Sequence, residues 1–180
     1  MVDLYAFAGG EVVVNTTRVR DQRYSRIGHL ADGGYVVSWQ SFAVDGTADV
    51  YFQRYDSSGV AQGSETLANS TSVWSQITPS VTGLAGGGFV VTWEAYDRNS
   101  DTSHGVFMQR YDAAGVAQGG ETQVNTIPDG SNGNMQPVVT ALTGGGYVVT
   151  WTSYEDTSYD VYAQRYDASG VAQGGHVRVN

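Results

Sequence analysis

The sequence predicts an all-β protein of three tandem four-stranded antiparallel units, arranged as a β-propeller-like array. One phrase occurs at residues 33–39, 86–93 and 144–151: glycines, an aromatic residue, two valines, a hydroxyl residue and tryptophan. A second phrase, Gln-Arg-Tyr-Asp, follows each copy, and its arginines are separated by 56 and 55 residues. No segment shows the periodicity and end signals of a helix. A fixed period of this size is typical of tandem supersecondary units.

The repeats divide the chain into a partial unit at 1–16 and three fuller units at 17–69, 70–125 and 126–180. The partial unit is inferred because residues 9–16 match the end of the second unit. We therefore expect a single repeat domain over 1–180 that opens within a unit. Closed propellers commonly have roughly four to eight blades. Partner chains, further repeats or a threefold architecture are therefore open alternatives.

Within the second unit, the pattern predicts strands at 80–84, 89–96, 106–112 and 121–125. The second of these alternates, so that Phe89 and Trp93 face one way while Val90 and Tyr96 face the other. Because both faces carry large apolar groups, sheets covered on both sides fit better than a sandwich with one solvated face. A threefold β-prism or β-trefoil-like fold is the alternative architecture.

Turn residues support these strand boundaries. The glycines at 86–88 can supply the positive φ that a hairpin between the first two strands needs. The Asp-x-x-Gly segment at 112–115 predicts a type I turn followed by a left-handed glycine. The same segment recurs at 56–59 and 167–170. Each unit is therefore expected to contain the same two hairpins.

Composition limits the classes of function. The formal net charge is −9, and all nine basic residues are arginine. Such a surface repels nucleic acid and anionic lipid, and no apolar run is long enough to insert in a membrane. Cysteine is absent, so disulfides and thiolate metal sites are excluded. His29, His104 and His176 occupy unrelated positions in their units, which predicts neither a metal site nor a nucleophile–base pair.

Residues that recur in every unit are interpreted as scaffold. Trp39, Trp93 and Trp151 share a face with the recurring aromatic residue and valine, which indicates core packing. The recurring arginines are expected to bond backbone carbonyls or an aspartate, with a repeated anion or sugar-acid clamp as the alternative. The recurring glutamines could bond a glycan hydroxyl, and cross-strand contacts within the sheet explain them equally well.

The phrase from Gly144 to Trp151, the acidic loop after it and the segment 161–170 resemble tandem repeats of large secreted bacterial proteins. These are adhesin-like and repeats-in-toxin, calcium-associated surface proteins. The pattern is also similar to delta-60 propeller-type repeats. The resemblance covers nearly the whole chain from Gly33 onward and implies an extracellular or bacterial cell-surface location. The chain lacks the glycine-rich nonapeptides that bind calcium in repeats-in-toxin proteins, so calcium binding is not carried over.

The loops between the second and third strands vary from unit to unit, and variable loops at the end of a rigid β scaffold often carry binding residues. Carboxylates beside an aromatic ring suit sugar recognition, because the carboxylates accept hydroxyl hydrogen bonds and the ring stacks on the sugar. The candidate ligand-binding residues are Phe42, Asp45, Asp49, Trp74, Tyr96, Asp97, Asp101, Tyr154, Glu155, Asp156 and Asp160. Trp74 has no counterpart in the other units, so it is either a ligand platform or a staple against the neighbouring unit.

A second oxygen-rich stretch precedes the third unit. Asp129, Asn132 and Asn134 are candidate Ca²⁺ ligands, since calcium takes six to eight oxygen ligands. The acidic loops offer similar oxygens, although none has the spacing of an EF-hand. A turn cluster of glycine and asparagine also needs no metal. We therefore expect no obligatory cofactor and treat calcium as an open alternative.

The sequence favours a non-catalytic extracellular module, lectin-like or adhesive, that binds a glycan or cell-surface polysaccharide. One weak site per unit would combine into avidity. The alternative is a structural, self-assembling repeat that forms a homo-oligomeric propeller without a small-molecule ligand. An acidic glycosidase ranks third, because any acidic β protein offers pairs of carboxylates. The expectation is therefore that the chain is not an enzyme, and that it has neither nucleic-acid partners nor a membrane-inserted segment.

Overall fold

The computed structural model describes residues 13–17, 20–72, 74–96, 104–125, 133–155 and 157–180. Over these ranges the chain forms twelve β-strands and no helix. The strands are β1 (Gln22–His29), β2 (Tyr35–Phe42), β3 (Ala48–Tyr55), β4 (Ala61–Leu67), β5 (Ser75–Gly83), β6 (Phe89–Tyr96), β7 (His104–Tyr111), β8 (Thr122–Gln123), β9 (Asn134–Ala141), β10 (Tyr147–Glu155), β11 (Ser158–Tyr166) and β12 (Val177–Arg178). Because no helix occurs in the described ranges, none is long and apolar enough to cross a membrane there.

The strands form three antiparallel meanders of four strands each, named here sheet 1 (β1–β4), sheet 2 (β5–β8) and sheet 3 (β9–β12). The sheets stack face to face in chain order. Strand β5 packs across β1, β2 and β3 of sheet 1, and β9 packs across β5, β6 and β7 of sheet 2. The first strand of each sheet therefore lies innermost, where neighbouring sheets meet, as in the blades of a propeller.

Alternation along β6 places apolar side chains on both faces of sheet 2. Phe89, Val91 and Trp93 pack with Val36 and other side chains of sheet 1. On the opposite face, residues of sheet 2 and sheet 3 form a second core cluster, which includes Val90, Val106, Met108, Val149 and Trp151. The predicted faces of the second strand and the burial of the recurring tryptophans are confirmed.

The two predicted hairpins are present in each sheet. Gly87 and Gly88 adopt φ of 85° and 78°, and a Cβ on Gly88 would lie 2.2 Å from the carbonyl oxygen of Tyr111. Glycine is therefore required there for both conformation and space. In the other hairpin, Asp112 Oδ1 accepts the backbone N–H groups of Ala114 and Val116, each at 2.9 Å.

Asparagine closes each sheet at its outer edge. Asn69 Oδ1 accepts the N–H of Val50, and Asn125 Oδ1 accepts the N–H of Val106, both at 2.8 Å. Asn180 makes the same bond in sheet 3. The fourth strand of sheet 2 is shorter than predicted, because a side chain takes over from the backbone ladder at its end.

The first strand of sheet 2 begins five residues earlier than the sequence predicts. The register between β5 and β6 shifts between Ile77 and Ser80, and Thr78 is left-handed with φ of 49°. This is a β-bulge, and Pro79 within it lacks an N–H for the ladder, so the segment resembles a strand boundary in the sequence. Tyr24 in β1 and Gln136 in β9 adopt the same conformation, with φ of 55° and 56°.

The predicted all-β class and the three four-stranded antiparallel sheets of a propeller-like array are confirmed. The bounds of the repeat units and the single-domain assignment stay predictions. Of the partial unit at 1–16, only residues 13–16 are described.

Candidate functional site

Most predicted ligand-binding residues lie at one end of the array. The antiparallel register pairs Gln22 with Ser41 in sheet 1, Ser75 with Tyr96 in sheet 2, and Asn134 with Ser153 in sheet 3. The start of each first strand therefore lies beside the end of the second strand. We call this end, with the loops between second and third strands, the loop end. Phe42, Trp74, Tyr96 and Tyr154 are located there.

In sheet 1, two of the predicted carboxylates are engaged within the protein. Asp45 Oδ1 accepts the N–H of Thr47 at 2.9 Å and its hydroxyl at 2.7 Å, which closes the loop. Asp49 accepts from Asn69 Nδ2 at 2.7 Å. The ring of Phe42 lies 5.7 Å from the guanidinium carbon of Arg23, within range of a cation–π contact. Asp49 therefore helps to hold the asparagine that closes the sheet.

In sheet 3, Asp160 is buried and accepts from Arg178 at 2.7 Å and from Asn180 at 3.1 Å. It repeats the structural role of Asp49. The rings of Tyr154 and Tyr159 lie 4.8 Å apart at the loop end. Glu155 ends β10. These positions bring an aromatic pair, but not the predicted carboxylate Asp160, to an open surface.

Several predicted residues lie outside the described residues: Asp97, Asp101, Asp129, Asn132 and Asp156. Asn134 is the first residue of β9. Among the described residues, no group of three His, Cys, Asp or Glu side chains could hold a metal ion. The calcium site proposed from the sequence therefore stays a prediction.

The sequence interpretation missed a buried carboxylate, Glu94. Its Oε2 atom lies 3.3 Å from Thr78 Oγ1 and accepts the backbone N–H of Gln136 at 3.2 Å. The side chain is 4% exposed and lies where β5, β6 and β9 meet. Burying a carboxylate away from water costs free energy unless the group is hydrogen-bonded, as Glu94 is here.

The equivalent residue of sheet 1 shows that the fold does not need a carboxylate at this place. Gln40 follows Trp39 as Glu94 follows Trp93, and its Oε1 accepts the backbone N–H of Thr78 at 3.3 Å. In both cases a bulge in the next sheet directs an N–H toward the acceptor. An amide therefore satisfies the same contact. The change from glutamine to glutamate adds acid–base capacity to a position that is otherwise structural.

Two aromatic residues of sheet 2 lie nearer the loop end than Glu94 does. In the register of β5 and β6, Ile77 pairs with Glu94 and Ser75 with Tyr96, so Tyr96 lies two residues nearer the loop end. Trp74 directly precedes Ser75 and is 37% exposed. The rings at the loop end offer an apolar platform, and Glu94, two residues before Tyr96 in β6, offers a proton donor or acceptor.

The recurring arginines and tyrosines tie the sheets together at their outer side. Arg54 donates to the carbonyl oxygen of Ala114, and Arg110 donates to that of Ala168 at 2.9 Å. Tyr111 donates its hydroxyl to the carbonyl oxygen of Ala68 at 2.9 Å, and burial raises the pKa of Tyr111. The two arginines thus bond backbone carbonyls, as the sequence analysis favoured over an anion clamp.

Three solved structures of other proteins have a fold similar to that of this chain. An α-L-arabinofuranosidase from Lactobacillus brevis shares 10% identity with this chain at a TM-score of 0.53, over 88% of this chain and 54% of the enzyme. A family 43 endo-arabinanase from Bacillus licheniformis shares 18% at 0.54, over 88% and 59%. A thermostable family 43 glycoside hydrolase shares 16% at 0.57, over 91% and 61%.

At these identities the likeness shows the fold. The chain spans a little more than half the length of the solved enzymes that it matches. No protein-family model matches the chain, and no curated protein matches its sequence. The propeller part of the sequence resemblance is confirmed by these neighbours, whereas the adhesin and repeats-in-toxin part finds no support in them.

Two expectations from the sequence are overturned by these neighbours. We expected a non-catalytic carbohydrate-binding or adhesion module, with a self-assembling structural repeat without a small-molecule ligand as the alternative, and we expected no enzyme. The absence of catalysis is the part that is overturned, whereas homo-oligomerisation stays a prediction. The solved structures that share the fold are glycoside hydrolases. The sequence interpretation failed because it searched for catalytic spacing within one repeat. In stacked sheets, groups from separate repeats meet in space, as Glu94 and Gln136 do.

Proposed function

We propose that this chain forms three blades of a carbohydrate-active propeller that hydrolyses glycosidic bonds, with the Glu94 carboxyl group as the proton donor. The observation that carries the proposal is the buried carboxylate at the inner junction of sheets 2 and 3. Gln40 fills the equivalent structural role without a charge. The glycoside hydrolases that share the fold support this assignment.

Hydrolysis breaks the bond between the anomeric carbon and the glycosidic oxygen. In the proposed reaction, Glu94 gives its proton to that oxygen, and the oxygen of a water molecule bonds to the anomeric carbon. The water proton passes to a second carboxylate, as the two-carboxylate mechanism requires. Proton exchange with solvent then restores both groups.

The proposed substrate is a polysaccharide with arabinan-type linkages. Two neighbours are named for arabinan-directed activities, an arabinofuranosidase and an endo-arabinanase. Trp74 and Tyr96 at the loop end would stack on the apolar face of a sugar ring. Such polymers occur outside cells, so an extracellular or bacterial cell-surface location, as in adhesin-like proteins, belongs to the same proposal. Calcium at 129–134 is a separate proposal, tested by comparing melting temperatures in EDTA and in excess calcium.

The test is an assay of reducing ends released from linear arabinan, branched arabinan and xylan by the wild type and by Glu94→Gln. General acid catalysis typically contributes 10²–10⁴-fold, so the variant should lose about 100-fold or more of the activity. Its melting temperature should stay the same, because glutamine occupies the equivalent place in sheet 1.

Glu121→Gln is the matched control. It makes the same chemical change at the outer edge, where Glu121 accepts from Ser70 at 2.9 Å, and it should retain activity. Sugar binding without release of product would overturn the proposal. Full activity of Glu94→Gln would remove Glu94 from the mechanism and leave hydrolysis itself standing.

A further inference from the structure

We propose that the outward face of sheet 3 docks head to tail on the outward face of sheet 1 in a second copy of this chain. We call these surfaces the donor face (Val138, Val148, Thr152, Val161 and Arg165) and the acceptor face (Gln22, Tyr24, Val37 and Trp39). Each is the counterpart of a surface that is already paired inside the chain. The inference is independent of Glu94 and of the proposed hydrolysis.

The exposure of three equivalent valines indicates that the donor face is an interface surface. Val50 in β3 and Val106 in β7 are 0% exposed, since each faces the following sheet. Val161 occupies the same position in β11 and is 41% exposed. Val138 in β9 is also largely exposed. A face that is buried at two of three equivalent places has the apolar content of an interface rather than of a solvated surface.

The recurring arginine repeats this pattern. Arg54 and Arg110 donate to carbonyl oxygens in the Asp-x-x-Gly turn of the following sheet. Arg165, at the equivalent position in sheet 3, is exposed. The matching turn that follows β3 is exposed at Ser57 and Ser58 on sheet 1. A second copy that places this turn beside Arg165 would reproduce a bond that the chain forms twice.

The acceptor face forms a cleft of about 370 Å³ between residues 13–15 and the inner strands of sheet 1. In sheet 2, the equivalent residues Thr78, Val91 and Trp93 pack under sheet 1. Within the described part of the chain, both side-chain polar atoms of Gln22 are buried without a hydrogen-bond partner. The cleft is therefore located where a preceding sheet would insert its inner strands.

Residues 13–17 already cover part of the acceptor face, because Val14 packs against Val37 and Trp39, which are 9% and 4% exposed. Thr16 donates its N–H to Glu65 Oε2 at 2.7 Å, as Ser70 donates to Glu121 at 2.9 Å between sheets 1 and 2. A docking copy brings its own equivalents, Val179 and Asn180, to this face. Docking therefore competes with residues 13–17, and the association should depend on protein concentration.

Two copies would contribute six sheets, which is within the range of roughly four to eight blades in closed propellers. A head-to-tail contact uses two different surfaces and forms a ring when the rotation closes. The expected species is therefore a ring of two chains, in which each donor face meets an acceptor face.

The proposal is tested by sedimentation velocity and light scattering on the full chain, from micromolar to near-millimolar concentration. The wild type should pass reversibly from monomer to dimer. Val161→Asp places a charge in the centre of the contact and should weaken dimerisation by about tenfold or more. Val171→Asp is the matched control, because Val171 and its equivalents Val60 and Val116 are all exposed. It should dimerise like the wild type.

A gain-of-function variant completes the test. Thr152 in sheet 3 occupies the position equivalent to Gln40 in sheet 1 and Glu94 in sheet 2. Those two side chains each accept an N–H from the bulge in the following sheet. Thr152→Gln would supply an amide oxygen to the Tyr24 bulge of the second copy and should tighten dimerisation by about threefold. A mass of one chain at every concentration would overturn the proposal. So would a dimer that Val161→Asp leaves unchanged, or an assembly that grows beyond two chains.

Discussion

The packed interior of the array repeats from sheet to sheet, whereas much of the loop end varies. Inside the stack the same arrangement occurs in all three sheets: the cross-strand ring pairs Tyr35–Tyr55, Phe89–Tyr111 and Tyr147–Tyr166 have centroids 4.9, 4.9 and 5.1 Å apart. At the loop end some positions repeat, such as Tyr96 with Tyr154 and Asp49 with Asp160, whereas Phe42, Trp74 and the loops between the second and third strands differ from sheet to sheet. Repetition in this chain therefore indicates scaffold, and the difference between Glu94 and Gln40 inside a repeated contact is the basis of the proposed function.

The largest expected effect is on the contacts between sheets. Trp93 is 0% exposed and Trp74 is 37% exposed. Truncating a fully buried tryptophan to alanine typically costs about 3–5 kcal/mol, because it removes buried area and leaves a cavity. We expect Trp93→Ala to lower the free energy of unfolding by this amount in urea titrations, and Trp74→Ala to change it by less than about 1 kcal/mol. Equal losses would mean that Trp74 staples the sheets.

The next largest effect is the difference in stability lost when an enclosed or an exposed asparagine is replaced. Asn125→Ala leaves the N–H of Val106 buried without its acceptor, which typically costs about 1–3 kcal/mol. Asn180→Ala breaks the same bond to Val161, where the backbone is exposed to water. Chemical denaturation of the two variants should show the larger loss for Asn125→Ala. The reverse order would contradict the view that sheet 3 ends in an open face.

A smaller effect is expected for the recurring arginines. Arg54→Ala removes a donor to the carbonyl oxygen of Ala114, and hydrogen bonds that involve a charged group contribute about 1.5–3 kcal/mol. The lower end of this range applies here because Arg54 is partly exposed. Arg165→Ala should change the stability of the dilute monomer by less than about 0.5 kcal/mol. Thermal melts at low protein concentration distinguish the two variants.

Alkaline pH should lower the free energy of unfolding only above the ordinary tyrosine pKa of 10.0. Burial raises the pKa of Tyr111 and of Tyr147, and it raises that of Tyr166 to about 12. The folded chain thus favours the neutral phenols, and this stabilisation is complete below pH 10. It is lost as the pH rises from 10 toward the raised values, because the unfolded chain ionises first.

Circular dichroism and the ultraviolet absorbance of tyrosinate, followed together along an alkaline titration, test this expectation. Unfolding should coincide with a cooperative ionisation of tyrosines. Gradual ionisation at the ordinary pKa, with the fold intact, would show that the stacked rings are open to water.

The sequence predicted the faces of the strands well because period-two alternation and turn residues are local signals. Trp93 and Val90 occupy the faces that alternation assigns to them. The bulge at Thr78 was missed, because Pro79 resembles a boundary when it is read without the partner strand. Asp49 and Asp160 were assigned to ligand binding, yet each is held by an asparagine 20 residues away.

Glu94 was missed for a related reason. Its partner Gln136 is 42 residues away and belongs to the next sheet, so no motif within one repeat could reveal the contact. The available signal was the variation of one position, with glutamine, glutamate and threonine after the recurring tryptophan. The expectation of a non-catalytic protein was wrong, because the solved structures that we compared and that share the fold are glycoside hydrolases.

The bulges at Tyr24, Thr78 and Gln136 have a consequence for protein engineering. The donor at each bulge belongs to the main chain, so most substitutions at these residues leave it in place. The acceptor at positions 40 and 94 is a side chain, and position 152 is their equivalent in sheet 3, so each can be exchanged alone. A library that randomises these three positions would therefore vary the chemistry at the inner rim while the stacked framework stays constant.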